Sequence, residues 1–303
     1  MSEQGVLRIS ILATVVIAIT GLVFGALSGS FSIMFDGSYS LVDAVMSAVA
    51  LMVARLITRD AAGLVPNRRF TMGFWHLEPI VLALNGMLLM AVSVFALVNA
   101  IGLILNGGRE LEFDWAIIYA VVTVVVCIGM YLFGKRANRS IGSSFIALDA
   151  YAWAMSGGIT AALLVAFCLG YAMQGTAYAH LTSYVDPVVL AIVCVIIIPL
   201  PFGTVRRAVS DILLAAPRDL VAHVAEVARE TVARHGFLDY EAYVARIGRA
   251  TQVEIHFIVP QDLPITGVSD FDAIRAEVGE AIGGEGPDRW LTLAFTADPK
   301  WAS

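Results

Sequence analysis

Six long apolar runs decide what this chain can fold into. They lie at about 9–27, 32–56, 78–105, 115–133, 145–171 and 183–205 of its 303 residues. An α-helix rises about 1.5 Å per residue, so about 20 predominantly apolar residues cross the hydrocarbon core of a bilayer. Each run reaches that length. Within hydrocarbon the backbone must satisfy its own hydrogen bonds, and a helix does so inside one segment. The pattern therefore predicts six transmembrane helices joined by polar links such as SGS at Ser28, NGGRELEFD at Asn106 and KRANRSIGSS at Lys135. The composition is 59% hydrophobic and only 15% charged, against roughly 45–50% and about 25% for soluble proteins. An ordinary soluble enzyme is excluded.

Charge divides the chain in two. Through Ser210 there are 11 Lys and Arg against 10 Asp and Glu, and after it 8 against 15. A nearly neutral membrane domain, 1–208, is thus expected to precede an acidic soluble domain, 209–303. That acidic surface argues against nucleic acid as a partner. Lys and Arg of short loops stay on the cytoplasmic side. With the N-terminus inside, that side holds Arg8, Arg55, Arg59, Arg68, Arg69, Lys135, Arg136, Arg139, Arg206 and Arg207, and the other side only Arg109. Both termini are therefore expected in the cytoplasm. MSEQGVLRIS leads into the first run without a small-residue cleavage site, so that run should persist as a helix. Cys127, Cys168 and Cys194 lie in apolar runs without paired spacing and read as core residues.

Beyond Arg207 the periodicity becomes that of a small α/β unit. A helix is expected over 220–234 with Leu220, Val221, Val224, Val227 and Ala228 on its apolar face, then strands over 242–247 and 252–260. A helix over 269–282, capped by Ser269, and a strand over 289–296 complete it.

Charges inside a membrane helix cost about 2.5–3.5 kcal/mol each on insertion scales and mark functional paths. Asp36 and Asp43 fall in the second run and Asp149 in the fifth; Asp186 and Glu78 sit near helix ends, where capping accounts for them. At 3.6 residues per turn Asp36, Tyr39, Asp43 and Ser47 form one polar stripe. Asp149, Ala152 or Trp153, Ser156 and Thr160 form a matching stripe on a helix running the other way. Facing each other, the stripes would make a ladder of acids, with Asp36 toward the outside and Asp149 toward the cytoplasm.

The motifs FDGSYSLVDAVMS at Phe35, GFWHLEPIVLALNG at Gly73, LDAYAWAMSGG at Leu148, VDPVV at Val185 and DILLAAP at Asp211 occur in this order. In them the chain resembles the cation diffusion facilitator family of metal/proton antiporters over nearly its whole length. The resemblance implies a membrane α-helical fold of six transmembrane helices followed by a cytoplasmic ferredoxin-like domain. It also implies a homodimer in the inner membrane that exports a divalent metal ion in exchange for protons, with no cofactor and no enzymatic reaction. The family's transport site takes two ligands from each of the second and fifth helices, which suits tetrahedral zinc with His and carboxylate ligands. Here Tyr39 stands where a His is expected, and Ala152 and Ser156 stand at the two fifth-helix positions. Asp43 survives, supplemented by Tyr39, Ser156 and whichever of Asp36 and Asp149 approaches. Oxygen ligands alone lean toward manganese or iron(II) and away from zinc.

Coupling to protons has a physical basis. A carboxylate taken out of water favours its neutral form, whereas a bound cation favours the ionised one. Metal is assigned first to Asp43, and proton traffic to Asp36 or Asp149. Structural readings stand beside these: Asp36 as a capping acid, Asp149 paired with Arg136 or Arg139, Tyr39 and Trp153 as packing, Ser156 as a small residue for close helix approach. The family also binds metal in its soluble domain, for which His256, Glu254 and Asp298 are the remaining candidates. A metal sensor or scaffold without transport, or a transporter of another substrate, are the rival readings.

Overall fold

The computed structural model describes residues 3–61, 73–141, 144–248, 250–264, 267–286 and 288–302. Arg68 and Arg69, which entered the orientation argument, lie outside them. Two compact units form, one of Met1–Val49 with Leu84–Gly203 and one of Ala50–Ala83 with Thr204–Ser303.

Five long helices open the chain: α1 (Glu3–Ser28), α2 (Phe31–Ala61), α3 (Leu77–Leu105), α4 (Phe113–Ile141) and α5 (Ser144–Met173). α6 (Thr182–Ile197) and α7 (Phe202–Ile212) follow. Among the described residues six helices are long and apolar enough to cross a membrane, as expected. The sixth run does not continue to residue 205, however. Pro199 and Pro201 interrupt it, since a proline lacks the backbone N–H and clashes with the preceding turn. The chain passes through tight turns, with the Leu200 and Phe202 N–H groups donating to the Ile197 and Pro199 carbonyls, before α7 begins.

The helices are inverted relative to those of a soluble protein. On α1, Leu12, Val16, Ile19, Val23 and Leu27 recur every three or four residues and all stay exposed, while Ser10, Ile17 and Ala18 are buried. Such an apolar outer face fits lipid, because lipid tails are as apolar as the side chains themselves. Glycines set the approach of α1 to α2: a Cβ on Gly21 would sit 2.9 Å from the Gly37 Cα, and one on Gly37 2.8 Å from the Ala18 carbonyl oxygen.

Asp186 does cap a helix, though not its own. From α6 its carboxylate accepts the Ser30 hydroxyl at 2.6 Å and the Phe31 and Ser32 backbone N–H groups at 2.8 and 3.3 Å. The orphan donors at the start of α2 are thereby satisfied by a neighbouring helix. Cys127 and Cys194 are buried as expected; Cys168 is exposed on the outer face of α5.

The C-terminal domain runs α8 (Arg218–His235), β1 (Asp239–Ile247), β2 (Ala250–Ile258), α9 (Val268–Ile282) and β3 (Arg289–Thr296). This is the predicted order. β2 is central, antiparallel to β1 and parallel to β3. Ile247 pairs directly with Ala250 across a two-residue turn in which Gly248 takes φ +61°, a value that suits glycine. That tight register starts β2 two residues nearer the turn than the sequence reading, while β1 ends where expected and begins three residues earlier. Val253, Ile255, Phe257 and Val259 pack with Val224, Val227 and Ala228 of α8, Val278 of α9 and Leu293 of β3. Val221 remains exposed. Ser269 lies inside α9, whose cap is the extended Gly267.

Candidate metal centre

Between α1, α2, α5 and α6 lies a cavity of about 310 Å³ whose polar lining includes Asp36, Tyr39, Asp43, Asp149 and Ser156. The two predicted stripes therefore face one space. α2 contributes Asp36, Tyr39 and Asp43 because positions 0, 3 and 7 repeat within about two helical turns. Ser40, four residues after Asp36 and three before Asp43, also lines the cavity. Ser47 does not; it is exposed, and the stripe ends at Asp43. On α5, Asp149, Ala152, Trp153 and Ser156 reach the cavity, whereas the Thr160 hydroxyl turns back to donate to the Ser156 carbonyl at 3.0 Å.

The three acids are held differently. Asp36 accepts the Tyr119 hydroxyl of α4 at 2.7 Å. Asp149 accepts the Ser10 hydroxyl of α1 at 2.7 Å, in place of a pairing with Arg136 or Arg139. Asp43 receives no hydrogen bond from any described residue, yet it lies within electrostatic reach of both Tyr39 and Asp149. Tyr39 packs its ring against Phe35 while also lining the cavity. Ser156 lies 3.8 Å from the Cys127 sulfur of α4. Neither cysteine nor histidine lines the cavity; its ligand-competent groups are carboxylate, phenol and hydroxyl oxygens together with the Met155 thioether.

Among the described residues no three His, Cys, Asp or Glu side chains converge closely enough to hold a metal ion by themselves. A cation here would meet few carboxylates at once and complete its shell with neutral oxygens and water, as hard cations do readily. Ser10 and Tyr119 were not among the sequence candidates. They reach the acids from α1 and α4, outside the motif helices, and a lone Ser or Tyr in an apolar run carries no periodic signal.

The candidates in the C-terminal domain are placed otherwise. His256 lies between the Trp301 carbonyl, 3.1 Å from Nδ1, and the Glu254 carboxylate, 3.0 Å from Nε2. Asp298 instead accepts the Lys300 backbone N–H in the C-terminal turn. Elsewhere in this domain Glu277 takes up both Arg234 and His235. Slight burial pushes its carboxyl up, but the His235 hydrogen bond, the His235 charge and Arg234 together hold it below the usual carboxylate value.

The family model described as the cation efflux transmembrane domain matches residues 7–213. The metal cation efflux system protein CzcD of Cupriavidus metallidurans is 21% identical over 258 residues, covering 83% of this chain and 75% of that protein. The manganese efflux system protein MneP of Bacillus subtilis is 25% identical over 214 residues, 70% of this chain and 69% of its own. Metal tolerance protein C1 of Arabidopsis thaliana is 22% identical over 294 residues, 92% of this chain and 59% of its own.

Proposed function

The chain belongs to the cation diffusion facilitator family of cation efflux transporters, and from that premise we propose that it exports manganese or iron(II) in exchange for protons. One observation carries the metal preference: the charged and hydroxyl-bearing groups of the cavity are carboxylate, phenol and hydroxyl oxygens, with no histidine or cysteine and only the neutral Met155 thioether as a softer group among its lining residues. Zinc sites favour nitrogen and sulfur ligands, whereas oxygen-only sites suit harder cations. The name of the manganese efflux relative agrees with this reading.

Asp43 is the principal ligand, because no donor among the described residues competes for its carboxylate. Asp149, Tyr39 and Ser156 complete the contact with the partly hydrated ion. Asp36, bonded to Tyr119, carries the proton. Arrival of the cation favours ionised carboxylates and releases protons; reprotonation releases the cation. Family membership implies a homodimer in the inner membrane, and the Lys and Arg bias of the loops supports both termini and the C-terminal domain on the cytoplasmic side.

Uptake of Mn, Fe(II), Co, Zn and Cd into proteoliposomes under an imposed pH gradient tests the proposal, with Asp43→Ala as control. Manganese or iron(II) moved faster than zinc, and lost in the variant, is the expected result. Zinc moved fastest would overturn the metal preference. Movement of no metal would favour a sensor or a carrier of another substrate.

A further inference from the structure

Asp149 is joined to a second helix by a hydrogen-bond chain whose direction chemistry fixes. An indole N–H can only donate, so Trp153 Nε1 must donate to the Ser10 hydroxyl, 2.7 Å away. A carboxylate oxygen of an ionised acid can only accept, and Ser10 Oγ lies 2.7 Å from Asp149 Oδ1. The single hydroxyl proton therefore points at Asp149. Ser10 and Trp153 are 2% and 6% exposed, so bulk water does not compete for these bonds.

We infer that Ser10, set by Trp153, is a positioning residue that fixes one oxygen of Asp149 and turns the other toward the cation beside Asp43. The inference rests on the transport-site reading above. Asp149 and Trp153 are four residues apart, so they stand one above the other on one face of α5. Ser10 of α1 closes the gap between them. Oδ1 is occupied by Ser10 and Oδ2 has no hydrogen-bond partner among the described residues, while the residue lines the cavity. The carboxylate thus keeps one oxygen for a ligand.

The donor is also neutral. A Lys or Arg at position 10 would hold Asp149 as firmly but would cancel the charge that attracts the cation. A hydroxyl orients the carboxylate and leaves its charge in place. The Trp153 bond in turn prevents Ser10 from swinging back to its own backbone, the usual alternative for serine in a helix.

The test is Mn(II) uptake by the full-length protein in proteoliposomes, with rates normalised to the amount of inserted, monodisperse protein. Ser10→Ala should raise KM for Mn(II) about tenfold, the loss expected for a bond to a charged group, with the maximal rate within about twofold of the parent. Ser10→Thr should restore KM. Trp153→Phe keeps the ring and the Ser10 hydroxyl but frees the latter to rotate, and should raise KM by a few-fold; it serves as the deciding variant should Ser10→Ala not insert. An unchanged KM in Ser10→Ala or Trp153→Phe, or a Ser10→Thr as impaired as Ser10→Ala, would overturn the assignment. If Asp43→Ala still transports Mn(II), the transport-site reading itself fails; if it does not while Ser10→Ala is silent, only the role of Ser10 fails.

Discussion

Acids in the bundle and acids in the C-terminal domain are kept in opposite ways. Around the cavity, Asp36 and Asp149 are held by the neutral hydroxyls of Tyr119 and Ser10, and Asp43 by no described donor. In the C-terminal domain, Glu277 meets Arg234 and His235, and Asp272 meets Arg275. A cationic partner satisfies a carboxylate permanently. A hydroxyl only orients it and leaves the negative charge to be met by something that comes and goes. In a medium where charge is expensive, acids left in this condition are what the proposed passage of a cation or proton requires, whereas the paired acids of the C-terminal domain need only a surface ion pair.

Four substitutions test that contrast. Asp43→Ala should have the largest effect: metal transport falls at least about a hundredfold, the scale of losing a charged ligand, while the unfolding temperature in detergent stays within a few degrees. A protein that unfolds instead would make Asp43 structural and erase the distinction. Asp186→Ala comes next, because this acid belongs to the bundle yet is saturated by Ser30, Phe31 and Ser32. Leaving those donors unmet should cost about 2–4 kcal/mol, visible as a lower unfolding temperature, with KM of the surviving protein unchanged. A shifted KM would place Asp186 on the cation path.

A smaller effect is expected at Tyr39. Tyr39→His puts nitrogen beside Asp43 and should move the zinc-to-manganese rate ratio toward zinc by about tenfold or less; an unmoved ratio would make Tyr39 packing only. The smallest concerns Glu277. Its carboxyl is held below the ordinary value, so its stabilisation is present above that value and is lost as the pH falls through the folded one. Glu277→Gln should flatten the acid-side loss of protection in α8 and α9 seen by hydrogen exchange on the intact protein. The pairs are exposed, so the effect should stay below about 1 kcal/mol, and transport should not change. Altered transport would mean that paired acids too serve the cation.

Much of this was legible in the residues. The six runs become six membrane-length helices because length and apolarity alone decide that outcome. The αββαβ order of the soluble domain followed from the alternation of Val253, Ile255, Phe257 and Val259, all now buried. The placing of Asp36 and Asp43 on one face of α2 followed from helical period; that this face meets Asp149 of α5 in one cavity is what the structure adds. What was not legible depended on tertiary neighbours. Asp186 read correctly as a cap, but nothing local told that it caps α2 across the bundle. The end of α6 before Pro199 and Pro201 is marked in the sequence by the prolines alone, because the apolar run continues through them. Ser10 and Tyr119 matter only through where α1 and α4 lie against the motif helices.

The proposed transport site places an oxygen-ligated cation beside Asp43 and Asp149, and anomalous diffraction at the manganese edge from Mn(II)-loaded crystals of the intact protein would locate it. A peak is expected in the cavity against the Asp43 carboxylate, within ligand distance of Asp149 or of a water bound to it, and absent in Asp43→Ala. A peak only at His256 and Glu254, or one in the bundle that survives Asp43→Ala, would contradict it.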